Sequence, residues 1–126
     1  MVKLLLAGNG LIGHRHMQHI LEHPDLELVG VIDPLITDEK IEGVKTYHSL
    51  NDVNNVAEGI ILATPTETHA DLTIQSLEMG LHVLVEKPVA ASLLEADKMI
   101  RASEKTGLSI LVGHHRRHHP LVNETI

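Results

Sequence analysis

The stretch that decides the fold is KLLLAGNGLIG, residues 3–13, in which an apolar run leads directly into three glycines. The run at residues 4–7 is short and aliphatic, as expected for a strand buried on both faces of a parallel sheet. A helix is predicted after the glycines, and a second aliphatic run, residues 29–32, ends on Asp33. A glycine pattern alone is common by chance. The order strand, glycine loop, helix, strand and acid makes it specific.

Each glycine of the loop is expected to meet a different structural requirement. Gly8 permits a sharp turn out of the strand, because it has no side chain to clash at positive φ. Gly10 lets the backbone approach a pyrophosphate, and Gly13 allows the helix to pack closely on the strand. The N–H groups at the helix N-terminus then bind the anion. The loop therefore predicts a dinucleotide site, and the alternative is a glycine-rich turn without a ligand.

Asp33 bears on which dinucleotide is bound. A carboxylate at this position can accept hydrogen bonds from both hydroxyls of the adenosine ribose. It would repel a 2′-phosphate, since one pair of like charges at 4 Å costs about 4 kcal/mol at an effective dielectric constant of 20. Pro34 and Leu35 follow, so no arginine stands next to it. We predict that NAD is the cofactor and that NADP is less favoured; the alternative for Asp33 is a turn or helix cap.

Strands and helices alternate to the end of the chain, which predicts a parallel sheet covered on both faces. The fold class is α/β, a doubly wound parallel (Rossmann) sheet of about six strands in the order 3-2-1-4-5-6, with the cofactor across the switch point between strands one and four. The 126 residues are read as a single dinucleotide-binding domain. The later strands are predicted at residues 44–47, 59–63, 82–85 and 109–112.

Local signals place the helices between these strands. Ala70, Ile74, Leu77 and Leu81 form one apolar stripe of a helix that Gly80 is expected to stop. Residues 92–95 (SLLE) have the spacing of a capping box, and Gly107 is expected to close the helix that they open. The short polar segment between Asp33 and Val44 is predicted to hold only a small helix.

Composition excludes several classes of function. The chain has no cysteine, so it has no disulfide, thiolate metal site or cysteine nucleophile. The net charge is −7 with histidines neutral, and no basic cluster falls on a predicted helix, so nucleic acid is not expected as a partner. No signal peptide and no apolar stretch of membrane-spanning length is present. A cytoplasmic domain without a membrane partner is the resulting expectation.

Four motifs together resemble the Gfo/Idh/MocA oxidoreductases, which include glucose–fructose oxidoreductase and inositol dehydrogenase. The first is the glycine loop with His16 three places on, and the second is Ala63-Thr64-Pro65-Thr66 with His69. Glu86-Lys87-Pro88 resembles the most specific motif of the family, and residues 113–120 (GHHRRHHP) resemble the segment after strand six. The likeness covers essentially the whole chain and does not identify a member.

The resemblance implies roles for these positions. Lys87 would be the catalytic residue that touches the substrate hydroxyl and the nicotinamide ribose, where a cation stabilises developing alkoxide charge. The peptide bond before Pro88 would be cis. Thr64 and Pro65 would line the cofactor groove, His69 would lie near the nicotinamide half, and Arg116 or Arg117 would face the active site or a domain interface. The predicted cofactor contacts are Gly8, Asn9, Gly10, Leu11, Ile12, Gly13, Asp33, Ala63, Thr64, Pro65, His69, Glu86, Lys87, Pro88 and Arg116.

Eleven histidines raise the question of a metal site. His114 and His118 stand four residues apart, as do His19 and His23, and this spacing on a helix can bind zinc or nickel. No carboxylate lies beside the first group, and the family carries aromatic residues at some of these positions. We therefore predict no metal site.

The family usually continues into a C-terminal substrate domain, which is absent from these 126 residues. Two interpretations remain open. The chain is the NAD-binding domain of a dehydrogenase that moves hydride between nicotinamide and a sugar or polyol, inactive alone and exposed to self-association around Lys87 and Arg116. Alternatively, it is a non-catalytic nucleotide-binding module that acts through a partner. Among enzymes, a related dehydrogenase with an amino acid or bile-pigment-like substrate is the runner-up.

Overall fold

The computed structural model describes residues 1–54 and 57–113. In this part of the chain, strands and helices alternate as the apolar runs predict. The elements are β1 (Val2–Ala7), α1 (Leu11–Glu22), β2 (Leu26–Ile32), β3 (Lys40–Ile41), β4 (Val44–Tyr47), β5 (Gly59–Leu62), α2 (His69–Glu78), β6 (His82–Glu86), α3 (Leu93–Thr106) and β7 (Ile110–Gly113), with 3-10 turns at Leu50–Asp52 and Thr66–Thr68.

The described strands form one sheet in the order β3-β4-β2-β1-β5-β6-β7. Every neighbouring pair is parallel except β3 and β4. Without the two-residue β3, the order is the predicted 3-2-1-4-5-6, and the doubly wound fold is confirmed. Chain direction and connection rules leave few other ways to arrange such units.

The predicted small helix between Asp33 and Val44 is wrong. This segment instead contains β3, which pairs antiparallel with β4 through Lys40 with Lys45 and Ile41 with Val44. The two residues between them, Glu42 and Gly43, have φ values of 51° and 79°. Two successive positive φ angles are the requirement of a tight hairpin turn, which reverses the chain and stops any helix.

The core has two layers, one on each face of the sheet. Along β1, Leu5 and Ala7 point into the layer that also contains Leu77 of α2, whereas Leu6 points into the layer with Met17 and Ile20 of α1. Side chains of successive strand residues alternate between faces, so a strand buried on both sides must be apolar at every position. The core is aliphatic apart from Tyr47.

Most of the predicted helix boundaries hold. α2 ends at Glu78, and Gly80 follows with φ +91°, as expected of a helix stop. The placement of Leu81 on the helix is wrong, because the chain has already turned at Gly80, and Leu81 is buried beyond the helix. At the start of α3, the Ser92 hydroxyl accepts the Glu95 N–H at 3.2 Å, and the Glu95 carboxylate accepts the Ala91 N–H at 3.3 Å. Gly107 closes α3 in the left-handed conformation, as predicted.

Thr73 of α2 offers a test of core packing away from the site. Its side chain is fully buried, and its hydroxyl has no hydrogen-bond partner among the described residues. Thr73→Val replaces the hydroxyl with a methyl group of similar size, so we expect it to raise the free energy of unfolding by about 1 kcal/mol. The control is Ser76→Ala, because the Ser76 hydroxyl donates to the Leu72 carbonyl at 2.6 Å. Ser76→Ala is therefore expected to be less stable than wild type. Urea denaturation measures both variants, and a Thr73→Val protein no more stable than wild type would contradict this assignment.

Candidate functional site

The candidate site forms where the carboxyl ends of three parallel strands meet. Ala7, the last residue of β1, pairs with Ile32 on one side and with Leu62 on the other. The segments that follow these three strands therefore leave the sheet together. They carry the glycine loop, Asp33 and residues 63–65. This is the switch point of the sheet, where ligands of doubly wound folds bind.

The three glycines of the loop lie in three different environments. Gly8 has φ +106°, and a Cβ on it would lie 2.3 Å from the Ala63 carbonyl oxygen. A Cβ on Gly13 would lie 2.0 Å from the Gly8 carbonyl oxygen. Around Gly10, a Cβ would meet no atom within 4 Å. Gly8 and Gly13 are thus required by the protein's own packing, whereas nothing in the described structure requires a glycine at position 10.

The N-terminus of α1 begins at this open position. Gly10 is the N-cap, no side chain caps it, and the first turn contains no acidic residue. The N–H groups of Leu11, Ile12 and Gly13 cannot have acceptors within the helix; the first such bond runs from His14 to the Gly10 carbonyl. Among the described residues these donors have no hydrogen-bond acceptor, and together with the partial positive charge of the helix N-terminus they suit an anion. The Asn9 side-chain oxygen beside it is buried without a partner among the described residues.

Asp33 ties the end of β2 to the loop. Its carboxylate accepts the N–H of Asn9 at 2.9 Å and the N–H of Leu35 at 2.8 Å. Asp33 therefore does cap the turn that follows β2, which is the alternative to a ligand-binding role. This capping does not exclude ligand binding, because a carboxylate has about four acceptor positions and these two bonds occupy two of them.

A groove of about 730 Å³ runs from the glycine loop along the carboxyl ends of β1, β2 and β5. This volume is in the usual range for small-molecule and cofactor sites. Three carboxylates line it, from Asp33, Glu67 and Asp71, and the lining residues that the structure describes include no lysine or arginine. The predicted residues in the lining are Gly8, Asn9, Gly10, Asp33, Ala63, Thr64 and Pro65.

Sequence reasoning missed part of the groove. His48, Ser49 and Leu50 reach it because β4 lies beside β2, and Asp71 and Gln75 reach it from α2. No motif marks these residues, since they come from a loop and from one face of a helix. Only the position of α2 could have indicated Asp71 and Gln75.

Lys87 and Pro88 form an exposed turn after β6. The peptide bond between them is cis, as the resemblance implied. The preceding Glu86 is buried, with 6% of its surface exposed, and its carboxylate contacts Nε2 of His16 from α1. Glu86 thus points into the protein, while Lys87 stands at the surface.

His69 is almost completely buried, with 1% exposure. Its Nε2 lies 3.0 Å from the Thr64 carbonyl oxygen, and its Nδ1 lies 3.0 Å from that of Pro88 and 3.1 Å from that of Val89. The ring does not line the groove. It lies behind the groove and connects the loop after β5 to the turn after β6.

A sequence comparison identifies the family. The model of the oxidoreductase family with an NAD-binding Rossmann fold, GFO_IDH_MocA, matches residues 2–114. The chain belongs to the Gfo/Idh/MocA family. Relatives named for NAD and for NADP both occur among the proteins that it matches.

Three similar Gfo/Idh/MocA proteins illustrate the match. The chain is 32% identical to 4-carboxy-2-hydroxymuconate-6-semialdehyde dehydrogenase of a Sphingobium species, covering 94% of this chain and 40% of the relative. It is 32% identical to scyllo-inositol 2-dehydrogenase (NAD(+)) of Bacillus subtilis, over 94% of this chain and 37% of that protein. The crystal structure of the WlbA dehydrogenase of Bordetella pertussis, in complex with NADH and UDP-GlcNAcA, superposes with a TM-score of 0.84 at 30% identity, over 93% of this chain and 38% of that one.

The chain thus spans about two fifths of the length of these Gfo/Idh/MocA proteins. Arg116, Arg117 and the histidines at 114, 115, 118 and 119 lie outside the described residues. Within residues 1–54 and 57–113, no three histidine, aspartate or glutamate side chains come together as a metal site, and His23 instead accepts the Asp25 N–H. No helix in this part of the chain has the length and apolar character to cross a membrane.

Proposed function

We propose that this chain is the NAD-binding domain of an oxidoreductase that transfers hydride between nicotinamide and a hydroxyl-bearing carbon of a sugar or polyol. The observation that carries the proposal is the contrast among the glycines. Gly8 and Gly13 have no room for a Cβ, whereas Gly10 faces open space at an uncapped helix N-terminus. A glycine that the protein's own packing does not need is explained by a ligand that approaches its backbone.

The cofactor's two phosphates and its adenosine have separate places in this proposal. The N–H groups of residues 11–13 bind the pyrophosphate. Asp33 uses its remaining acceptor positions for the adenosine ribose, and the adenosine lies in the groove between Leu35 and Asp71. The three carboxylates favour NAD, since the described lining residues include no lysine or arginine and a 2′-phosphate would add two like charges to an acidic surface.

Lys87 has the catalytic role in the proposal. β6 is two strands away from β1, which places the Lys87 turn about 10 Å from the glycine loop, on the side opposite the adenosine groove. Bound nicotinamide supplies the carbon that accepts or donates hydride. The Lys87 ammonium donates a hydrogen bond to the substrate hydroxyl and stabilises negative charge that develops on its oxygen. The remaining substrate contacts and the acid–base group are expected in the substrate domain that family members usually carry.

Calorimetric titration of the chain with NAD and, separately, with NADP tests the proposal. We expect saturable binding with a lower Kd for NAD. Absence of binding by both nucleotides would reject the cofactor role for this chain. A nucleotide-binding module without turnover would need the loop and Asp33 but not Lys87, so Lys87→Ala in the full-length protein separates the two interpretations: turnover must fall if Lys87 is catalytic.

Asp33→Ser tests the basis of cofactor preference. The change removes one carboxylate from the groove, and we expect the ratio of NADP to NAD affinity to rise about tenfold, well below the 4 kcal/mol limit because the groove is open to solvent. The ratio is the readout, since loss of the bonds to Asn9 and Leu35 weakens both nucleotides alike. Asp25→Ser, an exposed acid outside the groove, is the control. An unchanged ratio would remove Asp33 from this role.

A further inference from the structure

Two buried histidines, one on each face of the sheet, contact the residues on either side of Lys87. On the α1 face, His16 has 9% exposure, and its Nε2 contacts the carboxylate of Glu86, the residue before Lys87. His16 belongs to α1, the helix whose N-terminus is the proposed pyrophosphate site. This contact therefore joins the pyrophosphate side of the groove directly to the residue before the lysine.

On the opposite face, His69 of α2 makes the matching connection. Its Nδ1 faces the carbonyls of Pro88 and Val89, the two residues after Lys87, and its Nε2 faces the carbonyl of Thr64 in the groove wall. All three partners are carbonyl oxygens, which only accept, so any hydrogen bond between them and His69 is donated by the ring.

We infer that His16 and His69 are positioning residues that aim Lys87 at the nicotinamide ribose and the reacting hydroxyl. This inference rests on the proposed cofactor role of the domain. Both rings are buried, with 9% exposure for His16 and 1% for His69, so we assign to neither a direct contact with the cofactor. A lysine ammonium is a point charge on a flexible stem, and its reach depends on where its backbone is held. Displacement by about 1 Å can cost a large factor in a reacting site.

The experiment compares the affinities for NAD and for ADP, because ADP lacks the nicotinamide ribose that Lys87 is proposed to contact. The variants are His16→Leu and His69→Leu, each with the conservative partner His16→Gln or His69→Gln, which retains a donor. Each is made alone and together with Lys87→Ala. Controls are His19→Gln, an exposed position of α1, and Thr73→Val, a buried position of α2. Thermal unfolding accompanies each titration.

If the histidines act through Lys87, either leucine variant lowers the ratio of NAD to ADP affinity about tenfold, the value of one charge-assisted hydrogen bond. The glutamine variants recover part of the lost NAD-to-ADP affinity ratio. In the Lys87→Ala protein, the histidine substitutions change the ratio no further, because each histidine acts on the ratio only through Lys87. Equal loss of NAD and ADP affinity, an unchanged ratio, or the same loss without Lys87 would each overturn the inference.

The two proposals fail in different ways. A wild-type chain that binds neither NAD nor ADP rejects the cofactor role, and this inference with it. A chain that binds both but shows no change in their ratio rejects only the positioning role. If a leucine variant does not fold, the glutamine variants and the other histidine still give a ratio that decides the question.

Discussion

Gly10→Ala is expected to weaken NAD binding by about 100-fold or more while leaving the fold intact. A Cβ at this position meets no protein atom, but it extends into the space from which the pyrophosphate must approach the helix N-terminus. Blocking two charge-assisted hydrogen bonds at about 1.5 kcal/mol each corresponds to a loss of roughly 100-fold in affinity. The expected result is an increase of at least this size in the calorimetric Kd.

Stability is the control for Gly10→Ala. Gly10 has φ −85° and ψ −163°, an extended conformation open to alanine. Alanine restricts the unfolded chain but is a poorer N-cap than glycine, and the two effects oppose one another. We expect the free energy of unfolding to stay within about 1 kcal/mol of wild type. A variant that binds NAD normally would show that the pyrophosphate does not lie over Gly10, and the proposed site would have to be abandoned.

Gly13→Ala, in contrast to Gly10→Ala, is expected to lower the free energy of unfolding by a large amount. In a helix, alanine is normally more stable than glycine by about 1 kcal/mol. Here, the added Cβ would lie 2.0 Å from the carbonyl oxygen of Gly8 and 2.9 Å from its carbon. Gly8 cannot simply retreat, because its N–H donates to the Ile32 carbonyl at 2.8 Å, and the Ala63 backbone is so close that a Cβ on Gly8 would lie 2.3 Å from the Ala63 carbonyl oxygen.

Relief of this clash requires α1 to move away from β1. The helix buries Met17 and Ile20 in the core, so its displacement also disturbs apolar packing. We expect a loss of about 3 kcal/mol or more, since backbone atoms cannot change rotamer as a crowded side chain can. Urea denaturation beside Gly10→Ala measures it. A Gly13→Ala protein as stable as wild type would mean that the close approach of α1 to the loop is incorrect.

Elements with strong local signals were predictable from the sequence. The structure has strands at the four aliphatic runs, which are β1, β2, β5 and β6. It also has Ser92 and Gly107 at the two ends of α3, as their capping signals predict. The order of the sheet followed from the few ways in which such units can be connected. The β3–β4 hairpin was missed, because a two-residue strand has no periodicity and its turn depends on a positive φ at Glu42, where a non-glycine residue seldom adopts one.

The motif residues that line the groove could be predicted from the sequence, whereas the lining residues from the loop after β4 and from α2 could not. The glycine loop, Asp33 and the Lys87 turn are contiguous in sequence, so their spacing could be read directly. Glu67 and Asp71 carry no such mark. The contribution of Glu67 to the acidic groove depends on the 3-10 turn after β5, and that of Asp71 on which face of α2 meets the sheet.

The glycine loop separates what the sequence determines from what depends on tertiary contacts. Its spacing follows from backbone geometry within eleven residues, and a strand, turn and helix of this kind cannot be built without it. The amino-acid order therefore carried the fold class and the kind of ligand. Only the tertiary structure separates the glycines that packing requires from the one that packing does not require. The distinction depends on Ala63, fifty-five positions after Gly8, which the pairing of β1 with β5 brings against the loop. The same holds for His16 and His69, whose partners Glu86, Pro88 and Val89 come from another strand and its turn, because contacts between distant segments exist only after the sheet has formed.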